Sequence, residues 1–227
     1  MKIVISIGGS LLTKELSAEN FRKYAEVLLQ LKKFGHKVIA VCGGGKVARE
    51  YRDIAKKFTT DSKQLDFIGI MATHLNAATL AAVLGTAGYL LTWKSLKNAL
   101  PEAKKIFGKK IIVAAGYDVG CSTDYDSAKL AEIVKADLLI NASIVDGIYS
   151  EDPKKNPAAK KFDNLTYGKF LKIISKNPQK PGEYRLFDLY AARLIKKLKL
   201  KTIFIDGTDA EEILRAVKGK HNGTVIE

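Results

Sequence analysis

The chain has 227 residues and a formal net charge of +14, with 47% hydrophobic and 27% charged residues. This composition suits one large globular domain or two closely joined lobes. Its two cysteines, Cys42 and Cys121, match neither a disulfide framework nor a zinc pattern, so we expect free thiols in a reducing cytoplasm. No apolar run reaches the roughly 18 residues of a membrane span. The apolar start MKIVISI predicts a buried strand rather than a signal sequence.

The excess of basic residues predicts an anionic partner. Lysines far outnumber arginines and are spread along the chain, so we expect phosphorylated small molecules rather than nucleic acid. The densest basic run, RLIKKLKLKT, has its apolar residues at helical or alternating spacing. That spacing is typical of a helix end and a strand start with solvated lysines.

Predicted strands and helices alternate along the chain. Apolar runs predict strands at 2–7, 36–42, within 88–93, at 109–116, 136–142 and 201–206, and a short terminal strand at 223–227. Helical spacing and capping residues predict helices from Ser17 to about Lys33, from the glycines at 43–45 to about Phe58, from Asp61 or Ser62 to about Leu84, from about Asp124 to Lys135, at 165–174 and 187–198, and after a capping box of Thr208 and Glu211. The segment 175–184, rich in helix breakers, predicts a loop. The alternation predicts a mostly parallel sheet covered on both faces, with ligands at the carboxyl ends of its strands.

Two glycine-rich stretches lie at such strand ends. Gly8-Gly9-Ser10 follows the first strand, and Gly43-Gly44-Gly45 follows the second and leads into a basic helix. Backbone amides and a helix N-terminus at such a loop favour an anion. Neither loop matches the P-loop or the GxGxxG fingerprint. We therefore predict phosphate binding without either motif, and at Gly44 we expect a backbone that is either close to phosphate or at positive φ.

Two further loops carry polar residues after predicted strands. Segment 114–124 ends at Asp124, which is either a helix N-cap or a carboxylate that orients lysines or a metal near a transferring phosphate. Segment 143–157 carries Tyr149 and Asp152, which suit contact with a nucleoside. For Lys14, a solvated loop position and a catalytic role both remain open.

Taken together, these motifs resemble the amino acid kinase superfamily, and most closely its archaeal uridylate (UMP) kinases. The segments IGGSLL, VCGGGKVARE, LDFIGIMATHLNA, STD, VDGIYSEDPKKNPAAKKFDNLTY, LFDLYAARLI and KGKHNGTVI occur in that family's order and span nearly the whole chain. The resemblance implies a three-layer α/β/α sandwich with a mostly parallel central sheet, in a single kinase domain over 1–227. It implies an acceptor lobe at about 1–135 and an ATP lobe at about 136–227. It also implies Mg²⁺-dependent transfer of the ATP γ-phosphate to UMP, in a cytoplasmic homohexamer.

The resemblance and the glycine loops assign the candidate site residues. On the ATP side they are Gly8, Gly9, Ser10, Gly45, Lys46, Arg49, Ser143, Tyr149 and Asp152. On the UMP side they are Gly43, Gly44, Asp66, Tyr117, Asp118, Val119, Gly120, Cys121, Ser122 and Thr123. Lys14 and Asp124 are the catalytic candidates, and no residue is assigned as a metal ligand. We expect no nucleic-acid or membrane partner.

Several positions depart from the family pattern, namely Ser6, His74, Ala115, Asp118, Val119 and Ile144. Two alternatives stay open. One is another kinase of the superfamily, acting on isopentenyl phosphate, acetylglutamate or carbamate; a histidine in the acceptor pocket is a feature of isopentenyl phosphate kinases. The other is a non-catalytic nucleotide-binding protein on the same fold. We interpret His74 as a helix residue packed between the lobes.

Overall fold

The computed structural model describes residues 1–153, 155–176 and 187–227. The strands are β1 (Lys2–Ile7), β2 (Lys37–Cys42), β3 (Gly88–Leu90), β4 (Ile111–Ala114), β5 (Leu138–Ser143), β6 (Ile148–Tyr149), β7 (Lys161–Phe162), β8 (Asn164–Leu165), β9 (Thr202–Asp206) and β10 (Thr224–Ile226). The helices are α1 (Gly9–Thr13), α2 (Ala18–Lys33), α3 (Gly45–Ala55), α4 (Ser62–Leu84), α5 (Leu96–Ile106), α6 (Thr123–Val134), α7 (Tyr167–Lys176), α8 (Leu189–Leu198) and α9 (Glu212–Val217).

Eight of the strands form one central sheet in the order β3-β4-β2-β1-β5-β9-β10-β8. Neighbouring strands are parallel except β9 and β10, which are antiparallel. Strands β6 and β7 form a separate antiparallel pair. The predicted mostly parallel sheet is confirmed.

Helices cover both faces of this sheet, because side chains along each strand alternate between two cores. On β1, Ile3, Ile5 and Ile7 pack in one core with α2, α4 and α9, whereas Val4 packs in the other with α5 to α8. Burial on both faces explains why the central strands are nearly continuous apolar runs. The architecture is therefore a three-layer α/β/α sandwich, as the resemblance implied.

Most predicted helix starts are confirmed by their caps. The Ser17 side chain accepts from the Asn20 amide, and the Asp61 side chain accepts from the Lys63 amide. The predicted capping box at Thr208 is wrong, because the Asp209 carboxylate accepts from the Glu211 amide and α9 begins only afterwards, at Glu212.

The start of α6 shows whether Asp124 is a helix N-cap. The N-cap is Ser122, whose hydroxyl accepts from the Tyr125 amide at 3.2 Å. Asp124 lies inside the first turn, so its interpretation as the N-cap is wrong. Helices α1 and α5 and the two-residue strands β6 to β8 were not predicted. In the predicted loop 175–184, Ser175 and Lys176 belong to the end of α7, and the remainder lies outside the described residues.

Helix α4 is long and apolar. With the 3-10 turn that follows, Ser62–Ala87 is long enough for a membrane span and contains an 18-residue stretch with a mean hydropathy of 1.7, which would also suit one. No segment of this kind was predicted from the sequence. A helix in a protein core meets the same criterion, and α4 packs against α2, α3 and strands β2 to β4. Its length carries it past the carboxyl ends of those strands, where the candidate site lies.

Candidate active site

The two glycine loops lie in direct contact because β1 and β2 are adjacent and parallel. A Cβ atom added at Gly9 would lie 2.1 Å from the nitrogen of Gly45 and 2.5 Å from the carbonyl of Gly43. The loops therefore approach each other backbone to backbone, at a distance that only glycine permits. Gly44 has φ −79°, so the expected positive φ is not there; it lies at Gly45, with φ +65°.

A cavity of about 280 Å³ opens where these loops meet. Its lining comes from the ends of β1, β2 and β5 and the starts of α1, α3 and α6: Ser6, Gly8, Gly9, Ser10, Leu11, Gly43, Gly44, Gly45, Arg49, Thr123, Asp124, Asn141, Ala142, Ser143 and Ile144. We call it the inner cavity. Helices α1 and α3 begin at this cavity, and the first-turn amides of a helix have no acceptor within that helix. The Leu11 amide already donates to the Gly8 carbonyl and the Lys46 amide to Thr13 Oγ1, so Gly9, Ser10 and Gly45 are the candidate donors to a ligand. The inner cavity is thus suited to phosphate oxygens.

Asp124 is the acidic side chain in the inner cavity. Its Oδ1 accepts hydrogen bonds from Asn141 Nδ2 at 2.9 Å and from Ser6 Oγ at 3.3 Å. Ser6 and Asn141 are register partners on β1 and β5. The carboxylate is therefore held above the central strands of the sheet, next to both glycine loops, with its orientation fixed by two donors.

A second, basic cavity of about 620 Å³ adjoins the first. Its lining includes the basic side chains Lys14, Lys23, Lys46 and Arg49. Arg49 donates to Ser10 Oγ at 3.3 Å, which links α3 to the first glycine loop. The Lys46 ammonium lies 3.6 Å from Glu50. We call this second cavity the outer cavity. The two predicted catalytic residues therefore lie in different cavities, Lys14 in the outer one and Asp124 in the inner one.

The loop before α6 is joined to α4 by two hydrogen bonds, one to Asp66 and one to Thr73. Asp66 Oδ2 accepts from the Gly120 amide at 3.1 Å, and Asp66 Oδ1 lies 3.7 Å from an Arg52 nitrogen. The hydroxyl of Thr73 accepts from the Gly116 amide at 2.8 Å. These contacts bring the predicted UMP residues 117–123 together with Asp66, about one turn into α4.

Within that loop the side chains differ in exposure. Tyr117 is buried and donates its hydroxyl to the Leu91 carbonyl at 3.0 Å, so only its backbone can face a ligand. Its ring packs edge-on against His74, and burial lowers the pKa of that imidazole. Val119 and Cys121 are exposed, and the Asp118 carboxylate accepts from the Leu96 amide at 3.4 Å.

The predicted nucleoside contacts lie after β5. The Ser143 hydroxyl accepts from the Val145 amide at 3.2 Å, which shapes the turn beside the inner cavity. The Tyr149 hydroxyl donates to Asp146, whose other oxygen pairs with the Lys161 ammonium at 3.0 Å. Tyr149 is therefore fixed at its hydroxyl end, and Asp152 is partly exposed three residues later.

Sequence reasoning missed several polar residues that support the loops. Asn76, 2% exposed, donates to the Gly43 carbonyl at 2.7 Å, and Thr13, also 2% exposed, contacts both loops. Asn141 was likewise not singled out. Asn76 and Asn141 are polar residues at positions where helical or strand spacing calls for apolar ones, and that break in the pattern is the signal that would have found them. Thr13 belongs to α1, a helix that was not predicted, so there was no such signal for it.

The model of the amino acid kinase family matches residues 1–206. The chain belongs to the amino acid kinase family. Within it, the chain is 39% identical over 226 residues to the uridylate kinase of Methanobrevibacter smithii, covering 100% of this chain and 99% of that one. It is 40% identical to the uridylate kinase of Thermococcus kodakarensis, covering 100% of both.

Solved structures agree with this membership. The uridylate kinase of Archaeoglobus fulgidus superposes with a TM-score of 0.86 at 37% identity over 100% of both chains. The UMP kinase of Bacillus anthracis gives a TM-score of 0.83 at 23% identity, which shows the shared fold. The resemblance to archaeal uridylate kinases expected from the sequence motifs is confirmed.

The carboxyl group of Asp126 is buried near the site and lacks a hydrogen-bond partner in the part of the chain that the structure describes. Asp126, in the first turns of α6, is fully buried, and neither carboxylate oxygen has a hydrogen-bond partner among the described residues. Burial raises the pKa of this carboxyl to about 8, and the carboxylates of Asp118, Asp124 and Asp188 add to the effect. The nearby Tyr117 amide lowers this pKa in part, but it does not meet hydrogen-bond geometry with the carboxylate. Asp126 is therefore largely protonated in the folded protein near neutral pH.

This protonation makes stability depend on pH. Above about pH 4 the carboxyl ionises in the unfolded chain, whereas in the fold it keeps its proton until about pH 8. The native state then binds more protons, so the free energy of unfolding falls as pH rises, by up to about 1.4 kcal/mol per pH unit. We expect Asp126→Asn to remove this slope and to be the more stable protein at pH 8. Thermal melts of both proteins from pH 5 to pH 8 test this, and parallel curves would contradict it.

Proposed function

We propose that this protein transfers the γ-phosphoryl group of ATP to UMP and forms UDP, a step in the synthesis of pyrimidine nucleotides. The observation that carries the proposal is the contact of two glycine loops beside Asp124 at the carboxyl ends of β1 and β2. The uridylate kinases that match over the full length support UMP as the acceptor.

The donor side of the proposal uses the outer basic cavity and the loop after β5. The amides of Gly9, Ser10 and Gly45 and the Arg49 guanidinium contact the ATP phosphates. Gly8 and Lys46 support them at the two loop ends. Ser143, Tyr149 and Asp152 hold the nucleoside of ATP. Four basic side chains around the outer cavity supply the charge that a polyphosphate requires.

The acceptor side of the proposal lies across the inner cavity from the donor side. Gly43 and Gly44, Asp66 and the loop 117–123 surround UMP. In this division the acceptor lobe is 1–135 and the ATP lobe 136–227. The boundary falls between α6 and β5, and the paired β1 and β5 connect the two lobes.

Phosphoryl transfer requires positioning and neutralisation of charge more than covalent chemistry. UMP already carries an anionic phosphate, so no strong general base is required. The loop amides hold the transferring group at the junction of the two cavities. Lys14 approaches it from the outer cavity and neutralises charge, while Asp124 orients the cations around it from the inner cavity.

The residues present also fit Mg²⁺. Among the described residues, no group of three or more His, Cys, Asp or Glu side chains could hold a metal by itself. Mg²⁺ characteristically binds one or two carboxylates together with substrate phosphates and water. Asp124 would supply the carboxylate, and the bound ion would neutralise negative charge on the phosphates.

We also propose that the protein is a cytoplasmic homo-oligomer, a hexamer by resemblance. The support is a set of exposed large apolar side chains on α3, on α4 and in the segment between them, since exposed apolar surface of this kind is typical of protein–protein contact sites. They are Tyr51, Ile54, Phe58, Phe67, Met71 and Leu75, which are 45% to 85% exposed. Light scattering of the purified protein measures the assembly directly.

The function is tested by an acceptor panel with ATP and Mg²⁺. We expect turnover with UMP, and little or none with isopentenyl phosphate, acetylglutamate or carbamate. Strong turnover with isopentenyl phosphate alone would move the assignment to the other kinases of the family. The absence of turnover with every acceptor, combined with ATP binding, would favour a non-catalytic nucleotide-binding protein.

Asp66 tests the acceptor side. We expect Asp66→Asn to weaken UMP binding about tenfold, or about 1.4 kcal/mol, and to leave ATP binding unchanged. The reason is that Asp66 orients the loop at Gly120 and suits the ribose hydroxyls of UMP. Titration calorimetry with each nucleotide separately gives both affinities. The control is Asp53→Asn on the exposed side of α3, and an equal loss of affinity for both nucleotides would rule out the assignment.

A further inference from the structure

The hydroxyl of Thr13 joins the two glycine loops. Thr13 is the last residue of α1 and is 2% exposed. Its Oγ1 donates to the Gly9 carbonyl at 2.9 Å and accepts from the Lys46 amide at 2.9 Å. One hydroxyl therefore bonds to the first loop with its proton and to the second with its lone pair.

The Lys46 amide needs an acceptor from outside its own helix. It belongs to the first turn of α3, where amides lack an acceptor within the helix. Thr13 takes this hydrogen bond, so the Lys46 amide does not bind a phosphate. At the same place a Cβ on Gly45 would lie 2.3 Å from Thr13 Oγ1 and 2.2 Å from the Gly9 carbonyl oxygen. The hydroxyl lies at the point of closest approach of the loops.

A second buried side chain holds the other end of the triple glycine. Asn76 on α4 donates to the carbonyls of Gly43 at 2.7 Å and Gly44 at 3.4 Å. Asn76 thus fixes the start of the loop to α4, and Thr13 fixes its end to α1. The glycines carry no side chains, so the spacing of the loops depends on backbone contact, on the Gly43 amide donating to the Ile7 carbonyl at 2.9 Å, and on these two side-chain anchors.

We propose that Thr13 is a positioning residue for phosphoryl transfer, whose hydroxyl holds the two glycine loops at the spacing that aligns donor and acceptor phosphates. The inference rests on the proposed function. Thr13 acts through the amides and carbonyls of the loops. A misplacement of about 1 Å of groups that hold a reacting atom can cost on the order of 100-fold in rate.

Three variants test this. Thr13→Val removes the hydroxyl at nearly constant shape, and Thr13→Ser keeps it. Thr202→Val is the matched control, because Thr202 is fully buried and donates its hydroxyl to the Leu200 carbonyl at 3.0 Å, at the opposite end of the sheet. For each variant, kcat, the KM values for ATP and UMP, and the melting temperature are measured.

In Thr13→Val we expect kcat to fall about tenfold or more, while both KM values change less than about threefold, since the nucleoside contacts remain. We expect Thr13→Ser to restore kcat to within about twofold of the wild type. Thr202→Val should lose a similar amount of thermal stability and keep its kcat. A loss of kcat in Thr13→Val but not in Thr202→Val, at a similar loss of thermal stability, distinguishes a positioning role from a loss of stability alone.

The inference is overturned if folded Thr13→Val keeps its kcat, or if Thr202→Val loses as much kcat as Thr13→Val. If Thr13→Val does not fold, Thr13→Ala replaces it under the same criteria. Turnover of the wild type with UMP in the same assay reports separately on the proposed function. Should that turnover be absent, kcat is measured with whichever acceptor of the panel the wild type does phosphorylate, and an unchanged kcat in folded Thr13→Val overturns the inference. The absence of turnover with every acceptor overturns the proposed function and the inference together.

Discussion

Replacing Asp124 with asparagine is expected to lower kcat about 100-fold, which corresponds to about 2.7 kcal/mol of transition-state stabilisation. Thermal stability should change little. Asparagine keeps the side-chain oxygen that accepts from Ser6 and Asn141, and Ser122 remains the N-cap of α6. What is lost is the negative charge beside the two glycine loops, where cations must be oriented around the transferring phosphate.

A competing explanation for Asp124 is a favourable interaction with the helix dipole. An acidic residue in the first turn stabilises a helix by about 0.3 to 1 kcal/mol. Such a role would lower the melting temperature by a small amount and leave kcat unchanged. Measuring both on one preparation separates the two roles. The control is Asp137→Asn, because Asp137 accepts from the Lys2 amide at 2.7 Å at the amino end of β5, far from the site. An unchanged kcat in Asp124→Asn would remove its catalytic assignment.

The sheet could be predicted from the sequence because the burial of each strand determines which residue types that strand contains. The central strands β1, β2 and β5 are buried on both faces, so each is a nearly continuous apolar run. The elements that escaped prediction give no such signal. Strands β6 to β8 have two residues each, too few for any periodicity. Helix α5 contains Pro101, a residue that normally indicates an interruption of helix.

The position of the candidate site could be predicted, but not the contacts within it. The glycine loops indicated the end of the sheet at which the candidate cavity lies, because each follows a strand and the carboxyl ends of parallel strands meet at one edge of the sheet. The contacts of Asp124 with Ser6 and Asn141 join segments 118 and 17 residues apart in sequence. Such contacts depend on how α6 packs across the sheet, which no single stretch of sequence encodes. The same holds for the bond between Asp66 and Gly120.

The structure also changes the explanation of the triple glycine. The sequence suggested that a side chain there would obstruct phosphate. In the fold, a Cβ on Gly44 would instead meet the Ala48 Cβ at 2.6 Å and the Gly69 carbonyl oxygen at 3.3 Å. A Cβ on Gly43 would lie 2.5 Å from the Gly9 nitrogen. The glycines are required first because the surrounding atoms, mostly backbone, leave no room for a side chain, and the surface proposed to bind phosphate follows from that packing.

This packing predicts that Gly9→Ala is among the most damaging small substitutions in the site. The added methyl group would lie 2.1 Å from the Gly45 nitrogen and 2.5 Å from the Gly43 carbonyl. Both neighbours are backbone, so the loops must separate, by on the order of 1 Å, and turnover should fall more than about 100-fold. Some loss of melting temperature should accompany it, since β1 and β2 are joined at this point.

The matched control for Gly9→Ala is Gly168→Ala in α7, where an added Cβ meets nothing within 4 Å among the described residues. Alanine inside a helix stabilises it by about 0.5 to 1 kcal/mol relative to glycine, so this variant should keep full turnover and melt slightly higher. The measurements are kcat/KM for UMP and the melting temperature of each variant. A folded Gly9→Ala protein with near-normal turnover would mean that the loops tolerate separation. Close contact between the loops would then be a feature of the fold and not a requirement of phosphoryl transfer.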